Sequence, residues 1–237
     1  LPIISLLSLV NGLFSAVIGF VLLAKYLKRK SEALGYFTLF YLFFASVWIL
    51  WSIPEIFAQS PIIITWSNLF GFLCLYISMI VLIQVPFLFM DRRDLGTLFA
   101  IGVATAGVGF FLVRIVNFKL HQLEIIEGYK VWQPTFYPWL RVLTGFVGIS
   151  VGLVSALTFT YMGYKNKNNI VVFSRSLYIG MGMIVLIAAV GSSFILFGLL
   201  GYFVANLIGT VSVIIGLLLM LRGVLFGGDD SDVTLPS

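Results

Sequence analysis

Seven apolar stretches, each about as long as a bilayer is thick, follow one another along the chain with mostly short polar junctions between them. A helix needs about 20 residues to cross a hydrocarbon core of roughly 30 Å. Residues 3–26, 33–53, 62–90, 95–118, 139–164, 177–200 and 202–221 all reach that length. Barrel strands would alternate polar and apolar positions over about ten residues, and these runs do not alternate. Hydrophobic residues make up 61% of the chain and charged residues only 10%, too little polar surface to cover a water-soluble exterior. The expected fold class is all-α: a polytopic integral membrane protein built as a seven-transmembrane-helix bundle over residues 1–226. Gly227 and Gly228 end the last helix, and the acidic remainder at 227–237 reads as a short flexible tail with no effector domain after it. The first run has no basic stretch before it and outlasts a signal-peptide core, so it reads as a retained span.

Charge sets the expected orientation. Lys25, Lys28, Arg29, Lys30, Arg92, Arg93, Lys165, Lys167, Arg175 and Arg222 gather at one end of the runs; Arg114, Lys119, Lys130 and Arg141 gather at the other. The end richer in Lys and Arg belongs in the cytoplasm, which puts the N-terminus outside and the C-terminus inside. Trp48, Trp51, Trp66, Trp132 and Trp139 all fall toward the expected outer side, where the indole ring suits the headgroup layer. The net charge of +5 is spread over the inner junctions, so it implies anionic inner-leaflet lipid rather than nucleic acid. The expected location is a cell membrane, multi-pass, of the prokaryotic plasma-membrane type.

Short junctions make consecutive helices antiparallel neighbours in one bundle. The exception is the external segment 119–138, where apolar residues flank Glu127 and Gly128. That pattern suits a small hairpin over the outer mouth, although short apolar runs also suit irregular chain. Small residues recur four apart at Gly12 and Ala16, Ser15 and Gly19, Gly148 and Gly152, Ser176 and Gly180, Ala205 and Gly209, and Ser212 and Gly216. Such spacing lets helix backbones approach closely, here for packing within the chain ahead of dimerisation. Gly102, Gly107 and Gly109 thin the fourth helix in the same way. Pro86 should bend the long third helix, with Gln84 placed to satisfy the freed carbonyl. Gly191, Ser192 and Ser193 interrupt the sixth run.

Missing residue types exclude several chemistries. His121 is the sole histidine and lies in the external segment, so bis-histidine haem and histidine-rich metal centres are unavailable. No aspartate or histidine lies within the spans, which removes a buried Ser-His-Asp set. The seventh span has no lysine to form a retinal Schiff base. Cys74 is alone, so no disulfide forms within one chain. No ionisable group sits at mid-depth, where ion-coupled transporters keep theirs. The chain is expected to be no enzyme and to need no cofactor or metal.

Ionisable groups inside the apolar zone collect toward the outer surface: Glu55 after the second span, Arg114 near the end of the fourth and Arg141 early in the fifth. With His121 and Trp132 they form a candidate ligand-binding set for a small acidic or zwitterionic molecule, since the guanidinium fork matches carboxylate and phosphate. The plainer reading has Arg114 and Arg141 snorkelling to outer phosphates and Glu55 capping a loop. Deeper polar groups, namely Asn11, Ser46, Ser78, Thr105, Ser150, Ser192, Asn206 and Thr210, suit interhelical hydrogen bonds.

The layout resembles one family. SVWILWSIPEIFAQSPIIITWSNLFG, at 46–71, and VNFKLHQLEIIEGYKVWQPTFYPW, at 116–139, are similar in arrangement to the Trp-rich second helix, short outer turn and longer external segment of the seven-helix N-terminal membrane sensor module of bacterial histidine kinases. In that family a kinase or other output domain follows helix seven; here only the short tail is expected after it. The resemblance implies a receptor-like protein that passes a conformational change to a separate partner in the membrane or cytoplasm. The alternatives are an accessory subunit of a larger membrane complex and a small-solute or lipid carrier.

Overall fold

The structure is a computed structural model that describes residues 2–58, 60–135, 137–195 and 200–226, with backbone alone at 190–195. Seven helices are long and apolar enough to cross a membrane: α1 (Ile3–Arg29), α2 (Glu32–Phe57), α3 (Pro61–Phe89), α4 (Arg93–Val116), α5 (Pro138–Lys165), α6 (Ile170–Ile195) and α7 (Tyr202–Leu225). Between α4 and α5 lie two antiparallel strands, β1 (Gln122–Ile126) and β2 (Tyr129–Gln133). The chain is thus an all-α, multi-pass helical membrane protein with one small hairpin. The acidic tail expected at 227–237 and the end of the sixth run at 196–199 lie outside the described residues.

Helix ends follow local chemistry. Pro61 and Pro138 open α3 and α5, where a missing N–H costs nothing and φ is already helical. The sixth helix begins seven residues before the expected 177, because Asn169 caps it: its Oδ1 accepts the N–H groups of Val171 and Val172, both at 3.2 Å. Arg175, expected at the inner junction, lies inside α6 and donates to the Val224 carbonyl of α7 at 3.3 Å. The Gly191, Ser192 and Ser193 stretch stays helical. The second helix also outruns expectation, continuing through Pro54 to Phe57, so Glu55 belongs to the helix rather than to a loop.

The helices close a ring. α1 packs on α2 and α7, α2 on α3, α3 on α5, α5 on α6 and α6 on α7, while α4 leans on α3 from outside and barely touches α5. The third helix, shared by three neighbours, buries the longest apolar list, from Ile64 to Phe87. Apolar side chains on the rim, such as Phe20, Val142, Phe146 and Leu157, stay exposed on faces that water would penalise and lipid does not.

Small residues set the closest approaches, and they do so within the chain. Gly12 lies against Trp48 and Ile49, Gly19 against Leu42, Gly152 against Ile187, and Gly216 against Gly182 and Leu186. The fourth helix departs from expectation: Gly107 packs on Tyr76, but Gly102 and Gly109 have nothing within 4 Å of an added Cβ. Because α4 has only one close neighbour, two of its four glycines face away from it.

Expected polar glue also proves to be something else. The hydroxyls of Ser46, Ser78 and Thr105 and the Asn206 amide bond carbonyls of their own helices, the i−4 or i−3 positions that short side chains reach first. Tyrosines, with longer reach, tie helices together. Tyr41 donates to the Leu217 carbonyl at 2.8 Å, Tyr36 to Gln84 Oε1 at 3.2 Å, and Tyr76 pairs with Thr144 at 3.1 Å. The Gln84 oxygen thus joins α3 to α2.

Candidate functional site

The loop between α4 and α5 places its chemistry at one end of the bundle, called here the hairpin end. Glu127 and Gly128 both have positive φ, 52° and 82°, the pair of values a two-residue type I′ turn requires. The turn fixes the register, with Ile126 opposite Tyr129 and Leu123 opposite Trp132. Side chains alternate along β2, so buried Val131 faces the bundle and half-buried Trp132 takes the other face.

His121, just before β1, is the best-anchored member of the group. It is 2% exposed. Its backbone N–H donates to Thr65 Oγ1 at 2.9 Å, and its Nδ1 lies 3.0 Å from the same oxygen. The Thr65 hydroxyl already donates to the Pro61 carbonyl at 2.6 Å. The hydroxyl has one proton, so Nδ1 must carry the hydrogen of its contact and Nε2 is left as a lone-pair acceptor. Nε2 has no hydrogen-bond partner among the described residues. Burial, reinforced by the nearby Arg114 and Arg141 charges, pushes the imidazole from its ordinary 6.5 down to about 4. The ring is neutral at physiological pH.

The two arginines bracket the end of the segment. Arg114, 2% exposed near the end of α4, donates Nη1 to the Thr135 carbonyl at 3.2 Å. Arg141, exposed on the first turn of α5, donates Nη2 to the Pro134 carbonyl at 3.3 Å. Both therefore hold loop backbone as well as contributing charge. Around Arg114 lies a niche of about 10 Å³ lined by Val113, Asn117, Lys119, Tyr137 and Leu140, room for about one water molecule. Lys119 and Tyr137 face each other there as a cation–π pair, 5.6 Å to the ring centroid.

Glu55 sits on the α1 and α7 side of this end. Its Oε2 accepts the Ser5 hydroxyl at 2.6 Å, which ties α1 to α2. The Tyr202 phenol lies within electrostatic range of both Glu55 and Arg141.

The structure thus brings Arg114, His121 and Arg141 into one electrostatic neighbourhood, with Glu55 bonded separately to Ser5 of α1. Trp132 is held instead by its strand pairing. Thr65, Ser5 and Tyr202 were not singled out by sequence: a threonine, a serine and a tyrosine near span ends carry no distinguishing signal. Compared with known proteins, the chain matches no protein-family model and no curated protein.

Proposed function

We propose that this is a receptor-like sensory membrane protein, oriented N-out and C-in in a prokaryotic plasma membrane, that recognises a small anionic molecule at its hairpin end and signals to a separate partner. It is not an enzyme on this reading. The observation that carries it is the gathering of Arg114, His121 and Arg141 beneath a segment that reaches α3, α4, α5 and α7. Two guanidinium groups offer donors to acidic oxygens, while the bare Nε2 of a neutral imidazole accepts a donor. A molecule carrying both, such as a hydroxy acid or a monoprotonated phosphate, is the chemical complement. The niche admits only a water-sized group, so larger ligands enter by displacing the 119–138 segment. Displacing it alters the ends of four helices at once, which gives a ligand two arrangements to distinguish.

The test uses the full chain in nanodiscs with spin labels at Lys28 and Lys165, both exposed at the opposite end. Lactate, malate, citrate and inorganic phosphate are titrated in turn. At least one should change the label separation, and Arg141→Ala should abolish that change. No change with any of them overturns the sensory reading. Orientation is checked separately: a cysteine at Lys28 should resist membrane-impermeant reagents on intact cells.

The accessory-subunit reading draws on one observation as well. Arg114 and Arg141 already bond loop carbonyls, which is how structural struts behave. It predicts that Arg114→Ala and Arg141→Ala alter copurification with partners in mild detergent and leave label separations unchanged.

A further inference from the structure

Among the described residues, the tip of the hairpin touches the bundle at the start of α7. The Tyr202 N–H points between the two carboxylate oxygens of Glu127, 2.9 Å from each. That N–H is among the first donors of α7, which have no partner within the helix, and a carboxylate there also meets the positive end of the helix dipole. The usual capping position offers no such group. It is Gly201, with φ of 84° and no side-chain cap bond. A Cβ on Gly201 would lie 2.9 Å from Glu127 Oε1, so glycine at that position is what admits the carboxylate. Beside this contact the Tyr129 ring stacks on Phe203, with centroids 5.6 Å apart and planes 24° from parallel. The cap of α7 is thus supplied from 75 residues away.

The roots and the tip of the segment differ in how they are held. At the roots, His121 is buried against Thr65, and buried Arg114 bonds Thr135. At the tip, Glu127 is exposed and its contact with Tyr202 is open to water. Charge–dipole contacts in water are weak and screened by salt, and elements that open locally are drawn from such low-stability contacts. We infer that Glu127 is a releasable cap on α7: the hairpin is a strap, rooted on α3 and α4, whose tip clamps and unclamps the first turn of α7. Motion of the hairpin then becomes motion of α7, which packs on both α1 and α6. This device stands on the contacts alone and requires no ligand, so it can hold even where the sensory reading fails.

Amide hydrogen exchange over the first turn of α7, 202–205, on the full chain in nanodiscs tests it. Glu127→Ala should speed exchange there on the order of fivefold, the ratio that corresponds to a typical lost cap. Glu124→Ala, which removes a carboxylate from β1 away from the tip, should leave it unchanged. Raising salt should speed exchange in the unaltered protein and have little effect in Glu127→Ala. Equal exchange in Glu127→Ala and the unaltered protein, or equal acceleration by Glu124→Ala, overturns the proposal.

Discussion

Substituting Gly182 by alanine tests a seam where two backbones come close, between α6 and α7. A methyl at that position would lie 2.6 Å from Met220 Cγ, 2.7 Å from the Gly216 carbonyl oxygen and 2.9 Å from the Met220 nitrogen. Two of those three atoms are backbone and cannot rotate aside. Relief therefore requires the helices to part by roughly 0.5–1 Å, a gap that forfeits about a quarter to a half of each dispersion contact along the line. The seam is long, for Gly216 and Gly223 have equally close neighbours: their added Cβ atoms would lie 3.0 Å from Gly182 O and 2.8 Å from Arg175 O. Overpacking of this kind costs about 1–3 kcal/mol. Alanine returns up to about 1 kcal/mol through its better helix propensity. From a mid-range cost of about 2 kcal/mol, the net expectation is destabilisation of about 1–2 kcal/mol. Gly109→Ala is the internal control, since nothing lies within 4 Å of its added Cβ and only the propensity gain remains. Denaturant titration in mixed micelles, read by tryptophan fluorescence, should show the two substitutions moving stability in opposite directions. If Gly182→Ala proves as stable as Gly109→Ala, the close approach of α6 and α7 is wrong.

Three further outcomes are expected. His121 binds its proton only near pH 4 in the folded chain against 6.5 when released, so the unfolded state holds more protons between those values and stability falls as pH drops through them. The loss reaches about 3 kcal/mol near pH 4 and is absent above about pH 7; thermal melts across that range should show it, and His121→Gln should remove this component. Tyr41→Phe deletes the bond to the Leu217 carbonyl that joins α2 to α7, and should lower stability by about 0.6 kcal/mol in the same micelle titration. Asn169→Ala removes the cap of α6 and should cost about 1 kcal/mol, with faster amide exchange confined to the first turn of α6.

Much of the site was legible as a list and little of it as an arrangement. Arg114, His121 and Arg141 stand out in sequence because charged groups at span ends are few, and they do converge. The partner that orients the histidine, Thr65, lies 56 residues away and has no signal of its own. Glu127 was legible only as half of a turn. Its role as a cap for α7 depends on where a helix 75 residues later begins.

Sequence alone determined that seven helices lie in lipid and roughly where each begins and ends, because span length is a local sum of transfer free energies that every residue contributes independently. Its errors were local too: the sixth span was expected from 177, whereas the Asn169 cap starts α6 seven residues earlier. Tertiary structure alone decided which helices touch, that α3 meets α5 while α4 stands outside the ring, and that the hairpin reaches α7. In lipid, one apolar face is no better buried than another, so neighbours are chosen by where two backbones can come close and where a few polar side chains find partners. Those choices join residues far apart in the chain, and hydropathy carries no record of them.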